Sequence, residues 1–344
     1  MLPQSQDDAL EMVRYLLGFF NLSDLPVTVR AHTQNWVFDT VMPDGQKAII
    51  RVKSHPSYAH APGTPLIRRA ENVVMSEDAW NIIPVDTVLS STCEYYALRT
   101  LTHNSLLTVP HPLKILNYGA SELVIFAYVP GENRTLDMLT PRDAALAGAF
   151  LAQLHTKSRR LIFRGPTDPS LNAEGLLGPT SRYASPDEAH LLSDADRNIL
   201  ATLKQRVADI ETLIGPQDEH TLLLHGDFLL QNIVFDGDTV GALDFEMCGW
   251  GTDLYDMATF LWQIKPSPRY DTLADAFWRG YTIWRELPPR DWLEIFIAAR
   301  QGASVRWLIQ NRHLPAYAER YESLIRQRLD EIAGFLETGM LKRD

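Results

Sequence analysis

The sequence predicts an α+β fold in two parts, a small antiparallel-sheet lobe over residues 1–129 and a larger, mainly helical lobe over 130–344. Three observations lead there. At 344 residues the chain is longer than one hydrophobic core usually serves, so two lobes are the natural expectation. Its first third holds short apolar strands separated by Pro, Asp and Gly turn signals. Its last third carries apolar residues at helical spacing, interrupted by prolines.

Composition narrows the functional classes. Apolar residues make up 45% and charged residues 22% of the chain, as in an ordinary globular protein. The net charge of -11 argues against a nucleic-acid partner or an anionic membrane surface. It suits a cationic substrate. Cys93 and Cys248 are the only cysteines, too few for a disulfide framework or a thiolate metal site. No apolar run approaches the ~20 residues of a membrane span. Residues 1–8 have neither a basic leader nor an apolar core, so no secretory signal is expected and a cytoplasmic location is. There is no internal repeat, no G-x-x-x-x-G-K-[ST] loop and no G-x-G-x-x-G.

In chain order, Leu10, Val13, Leu16, Leu17 and Phe20 recur at helical spacing and predict a helix over 9–20. Strands follow at 35–42 and 47–53, joined by Pro43-Asp44-Gly45. Alternation along the second strand puts Ile49, Arg51 and Lys53 on one face, with Ala48, Ile50 and Val52 on the other. Two readings of that basic face stand, a cation for an anionic ligand and a solvated edge. Residues 55–90 form a long intervening stretch, with a short helix over 66–80. His55 and His60, on its proline-broken part, read as surface residues. A helix over 92–101 carries Glu94 at its start, where an acid also favours the helix dipole. Lys114–Leu116 and Leu123–Val129 read as strands, and Pro130-Gly131-Glu132 ends the second.

Thr140-Pro141-Arg142-Asp143 supplies an N-cap, a proline at the first helical position and an acid at the third, so a helix runs to His155. His155 reads as a helix-end residue favoured by the dipole. A Pro-, Gly- and Ser-rich excursion covers 158–194, and a helix spans 194–214. Helices then follow over 256–264, 273–286, 292–310 and 316–337 and suit a packed bundle. Arg300, Arg306, Arg312 and Arg320 read as a solvated basic face of it.

The chemistry concentrates between His220 and Ala258. His225-Gly226-Asp227-Phe228-Leu229-Leu230-Gln231-Asn232 precedes two apolar strands joined at Asp236-Gly237-Asp238, and then comes Asp244-Phe245-Glu246. Asp227 and Asn232 stand five positions apart, the spacing of the aspartate and asparagine in H-R-D-x-x-x-x-N. The hairpin would return the chain so that Asn232 and Asp244 face one point. Phosphoryl transfer wants these residue types there. Mg2+ takes hard oxygen ligands, one or two from protein and the rest from phosphates and water, which Asn232 and Asp244 would supply. Asp227 would orient the attacking hydroxyl and accept its proton. His225 reads as a brace for the loop.

With these residues the chain resembles the aminoglycoside phosphotransferase and choline kinase family, small-molecule relatives of the protein kinases. His225-Gly226-Asp227 with Asn232, Leu243-Asp244-Phe245-Glu246, and Gly251-Thr252-Asp253-Leu254-Tyr255-Asp256-Met257-Ala258 carry the resemblance. It implies a bilobal protein-kinase-like fold and nucleotide bound between the lobes. Arg51 would then stand where a kinase lysine holds phosphate, with Lys53 as the other candidate, and Glu94 would pair with that cation. Phe126 would gate the adenine pocket, while the Ala127 carbonyl and the Val129 amide would meet the base. The stretch Arg30 to Asn35 falls where protein kinases place a Gly-rich loop. It contains no glycine.

The expected activity is ATP- and Mg2+-dependent transfer of the γ-phosphoryl group to a hydroxyl of a small molecule. A cationic acceptor, such as an aminoglycoside, amino sugar or amino alcohol, leads because Glu246, Asp253 and Asp256 cluster after the motif. Glu246 reads equally as a structural carboxylate, and Asp253 and Asp256 as braces of the helix they open. The alternatives are a homoserine- or sugar-type kinase, a serine or threonine protein kinase, and a nucleotide-binding regulator without turnover.

Overall fold

The computed structural model describes residues 5–32, 35–53, 90–103, 107–118, 121–158, 170–179, 181–215 and 221–343. Two compact units divide between Val129 and Pro130. The helix expected over 66–80 and both His55 and His60 lie outside the described residues.

The first unit is a helix laid on a five-stranded antiparallel sheet. Helix α1 (Gln6–Gly18) starts at a capping box in which Ser5 and Asp8 satisfy each other's backbone amides, removing two orphan donors of the first turn. Strands β1 (Val27–His32), β2 (Asn35–Val41), β3 (Lys47–Lys53), β4 (Pro112–Tyr118) and β5 (Ser121–Ala127) take the order β1-β2-β3-β5-β4. The period-two pattern of β3 does what alternation requires. Ala48, Ile50 and Val52 join Trp36, Phe38, Leu123 and Ile125 in one core with Val13, Leu16 and Leu17 of α1. In register, Ile49 faces Phe126 and Arg51 faces Val124, so Ile49, Arg51, Val124 and Phe126 share the opposite face.

Strand β1 was not expected. Of its residues only Val27 is buried, and a register shift falls between Val29 and Ala31. An edge strand with one buried residue leaves almost no hydrophobic period to read. Arg30 and His32, expected in a covering loop, are therefore strand residues, and Arg30 pairs with Asp39 of β2 at 2.8 Å. Helix α2 (Ser90–Thr102) buries Tyr95, Leu98 and Leu101. It begins earlier than expected, so Glu94 is its fifth residue and beyond the first turn where the helix dipole acts.

The second unit is mainly helical. It contains α3 (Pro141–Ser158), short α4 (Ala173–Leu177) and α5 (Glu188–Leu191), α6 (Asp194–Ile214), α7 (Leu254–Ile264), α8 (Tyr270–Tyr281), α9 (Arg290–Asn311) and α10 (Tyr321–Thr338). Thr140 and Asp143 close the expected cap of α3 in both directions, at 3.0 and 3.1 Å. Helices α3 and α8 touch at reciprocal glycines. A Cβ on Gly148 would stand 2.1 Å from the Phe277 carbonyl oxygen, and one on Gly280 would stand 1.8 Å from that of Ala145.

Helix α9 packs against α6, α7 and α10 and is buried without a gap from Phe296 to Arg306. The solvated basic face expected there is corrected by this. Arg300 and Arg306 are 8% and 6% exposed, and Arg306 donates to the Gly178 carbonyl at 2.7 Å and pairs with Glu188 at 3.0 Å. A charged residue in an apolar helical run looks like a surface position until its distant partner is known.

Candidate active site

Each unit holds one of the expected constellations. In the first, Arg51 of β3 meets Glu94 of α2. The Arg51 guanidinium donates to Glu94 through Nη1, at 3.2 Å, and through Nη2, while its plane lies over the Phe126 ring with 5.4 Å to the centroid. Arg51 is 7% and Glu94 1% exposed. Burial of both members excludes the solvated edge. The forked donor of an arginine suits this two-point pairing with a carboxylate, which a point-charge lysine could not make. Lys53 ends the same strand, its side chain outside the described set. Phe126 and Ala127 close β5, the Ala127 amide donates to the His111 carbonyl at 2.8 Å, and Val129 follows, 9% exposed.

In the second unit the motif is a loop between β6 (Leu222–Leu224) and the hairpin β7 (Ile233–Asp236) and β8 (Thr239–Ala242). The hairpin turns tightly, from Asp236 paired with Thr239 back to Ile233 paired with Ala242. Its base brings the Leu243 amide to the Asn232 carbonyl at 2.7 Å, so Asn232 and Asp244 are neighbours across the base. Asn232 sits at the end of a 3-10 turn, and its amide nitrogen donates to the Asp227 carbonyl at 2.9 Å and to Asp227 Oδ2 at 3.0 Å. That leaves the Asn232 amide oxygen for a metal. Asp244 adopts the left-handed conformation, φ 58 and ψ 68, and is exposed. Such a backbone, uncommon outside glycine, is tolerated by aspartate and is concentrated at functional sites.

Burial fixes the loop from behind. His225 is fully buried, accepts from the Asp227 amide through Nδ1 at 3.2 Å and meets the Leu243 carbonyl through Nε2 at 2.8 Å. Those contacts require the neutral ring with its proton on Nε2. Burial pushes the His225 pKa down, and the Asp256 and Asp227 charges oppose that only in part. These contacts tie His225 to the loop's backbone on one side and to the residue before Asp244 on the other. Gly226 has φ +81, and a Cβ there would stand 2.0 Å from the Met247 carbonyl oxygen; only glycine fits the turn.

Four side chains support this loop, directly or through another, and none shows that role in its local sequence: Asp256 reads there as an acceptor group or a brace of its own helix, and His155 as a helix-end residue. Asp256 of α7 accepts from the His225 and Gly226 amides, both at 2.8 Å, so it is a brace rather than an acceptor ligand. His155 of α3 supports it at 3.2 Å and meets the Tyr281 hydroxyl at 2.9 Å. Asn133 donates to the Gln231 and Ile233 carbonyls at 2.8 and 2.7 Å. Arg300 of α9 donates to Asp227 Oδ1 at 2.7 Å. These side chains lie ~30 to 100 positions from their partners, beyond any local spacing rule. The one available hint was an excess of polar residues in strongly apolar helices.

The remaining carboxylates divide. Asp253 pairs with Arg285 at 2.7 Å, so its charge is already met by a cation. Glu246 lies in the 3-10 turn after Asp244 and is 9% exposed. Among the described residues no group of three or more His, Cys, Asp and Glu side chains is placed to hold a metal. A two-ligand set completed by phosphates and water fits Mg2+ better than it fits zinc.

A family model for phosphotransferase enzymes matches residues 84–293. The chain belongs to the phosphotransferase enzyme family. The match covers Asp227, Asn232 and Asp244, and it begins after β3, so Arg51 lies outside it. An uncharacterized protein of Synechocystis is 26% identical over 212 residues, 60% of this chain and 57% of that relative, so the chain spans little more than half of that protein's length.

Solved structures share the fold of this phosphotransferase-family chain. A microcompartment-associated aminopropanol kinase is 20% identical, with 97% of this chain and 99% of that one covered and a TM-score of 0.70. An amicoumacin kinase in complex with AMP-PNP, Ca2+ and its Ami ligand is 14% identical over 95% and 96%, with a TM-score of 0.65. A Plasmodium vivax ethanolamine kinase is 15% identical over 96% and 89%, with a TM-score of 0.59. The fold is thus that of the small-molecule kinases, with its antiparallel sheet in one unit and helices in the other. No helix among the described residues is long and apolar enough to cross a membrane.

Proposed function

We propose that the protein transfers the γ-phosphoryl group of ATP to a hydroxyl of a small molecule, with Mg2+ as cofactor. The observation that carries this reading is the pairing of Asp227 with Asn232 at the base of a hairpin that ends in Asp244. Asp227 would hold the acceptor hydroxyl and take its proton as the new O–P bond forms and the bond from the γ-phosphorus to the ADP oxygen breaks. The Asn232 amide oxygen and the Asp244 carboxylate would hold the metal, which when bound neutralises phosphate charge. Arg51, steadied by Glu94, would meet phosphate, and the backbone at Ala127 and Val129 would meet adenine.

Amino alcohols and amino sugars are the acceptors to try first. The net charge of -11 favours a cation, and the structural neighbours include kinases named for aminopropanol and ethanolamine. Asp253 pairs with Arg285 and Asp256 accepts from the loop amides, so Glu246, two residues after Asp244, is the first carboxylate to vary when an ammonium-bearing acceptor is tested. The test is ADP release, with Mg2+ and ATP, across amino alcohols, amino sugars, sugars and homoserine. One class should stimulate release, EDTA should abolish it, and Asp227→Ala should lower kcat by ~10²–10⁴-fold, the range for a positioned acid–base group. Equal rates in wild type and Asp227→Ala would refute the assignment.

A further inference from the structure

We infer that Arg300 is a positioning residue for Asp227, fixing the direction in which its carboxylate receives the acceptor hydroxyl; the inference rests on the phosphotransferase reading above. The carboxylate is held at both oxygens from different elements. Oδ2 accepts from Asn232 in the loop at 3.0 Å, and Oδ1 accepts from Arg300 Nη2 on α9 at 2.7 Å. A single donor leaves a carboxylate free to rotate about its last torsion, whereas two donors on separate elements fix its plane.

Arg300 is itself immobilised, so it can transmit that constraint. It is 8% exposed and lies mid-way along the buried run of α9. Its guanidinium stands over the Trp262 ring, 5.2 Å from the centroid, and the Trp262 indole nitrogen donates to Gln301, the next residue on α9, at 2.6 Å. Arg300 Nε and the Tyr183 and Tyr255 hydroxyls are all buried, and both tyrosines lie close enough to act on the Arg300 charge. Burial works against the Arg300 cation, but Tyr255, Asp227 and Tyr183 together outweigh it and hold its pKa above the ordinary value. The guanidinium therefore stays charged at any working pH.

A buried cation is costly to keep and often replaceable by apolar residues where it serves stability alone. Here its partner is the half-exposed carboxylate of the motif, whose aim matters to the reaction. A displacement of ~1 Å at a reacting group costs on the order of 100-fold in rate.

Arg300→Met, which keeps the length and apolar contact of the side chain, tests this together with Asp227→Asn and the double variant. Arg300→Met should lower kcat by ~10–100-fold with the KM for ATP within about twofold, and Arg300→Lys, which restores the charge, should recover part of the loss. In the Asp227→Asn background Arg300→Met should cost no more than about twofold further, because a residue acting through Asp227 has nothing left to position. Multiplicative losses, or an unchanged kcat in Arg300→Met, would overturn the proposal.

A crystal structure of Arg300→Met gives a readout independent of turnover. The Asp227 carboxylate should leave its present rotamer or split between two. An unmoved Asp227 would refute the inference. Absence of ADP release from the wild type with every acceptor would sink the phosphotransferase reading instead, and the Asp227 rotamer would still decide this one.

Discussion

His225 shows how one residue ties the geometry of the loop to solution conditions. Its ring accepts from the Asp227 amide and reaches the Leu243 carbonyl, so it links the start of the motif to the residue before Asp244. The contact in which Nδ1 accepts needs the neutral form, and burial depresses the His225 pKa below the ordinary 6.5 despite the carboxylates of Asp256 and Asp227. The unfolded chain therefore binds a proton that the folded loop rejects. The contribution is fully present above pH 6.5 and is lost as pH falls below it toward the lowered folded value. One such proton gives a slope of at most about 1.4 kcal/mol per pH unit. Urea midpoints measured from pH 7.5 down to pH 5 should fall with acidification, and more steeply in wild type than in His225→Asn. Identical slopes would show that His225 is not the group responsible. The residues of the motif were legible because their spacing is local. Their braces were not, since Asn133 and Arg300 reach the loop from far along the chain, His155 reaches it only through Asp256, and the stretch that holds Asp256 does not show what that carboxylate binds.

At the scale of elements, the helices and central strands were legible for a similar reason. The period of β3 and the capping residues before α3 act within one or two turns of chain. Strand β1 was lost because an edge strand with one buried residue has no period, and α8 ends at Tyr281 rather than five residues later. The closest helix pair, α3 with α8, depends on a feature that carries no hydrophobic signal. Gly148 and Gly280 let each backbone approach the other's carbonyls, and a methyl group at either position would sit 2.1 Å or less from an oxygen. Helical glycine ordinarily loses ~1 kcal/mol to alanine, so replacement would help if propensity decided. Here sterics win, since forcing a methylene into a packed site costs about 1–3 kcal/mol. Gly148→Ala should therefore lower the urea midpoint and shift α3 away from α8. A neutral or stabilising result would mean that the helices part at little cost.

At the scale of the whole molecule, the sequence divides its chemistry between two units, each with a core of its own. The family match starts at residue 84 and so leaves β1 to β3 outside, and the pairing of Arg51 with Glu94 ties β3 to a helix inside it. Nearly complete burial of both side chains makes the pair an unequal bargain. Forming it gains little over an apolar pair, while removing one partner strands the other's charge, at about 3–5 kcal/mol. That loss falls on one unit. Arg51→Met should therefore weaken hydrogen-exchange protection in β2, β3 and β5 and leave α3 and α8 as slow as in wild type, because the charge it strands belongs to the sheet's unit alone. Protection lost equally in both units would show that they unfold as one body, and protection unchanged in both would show that Glu94 finds other support. If the two units do respond separately, a loss of activity in Arg51→Met can be assigned to the sheet and its cation, since the loop around Asp227 would be intact by the same measurement.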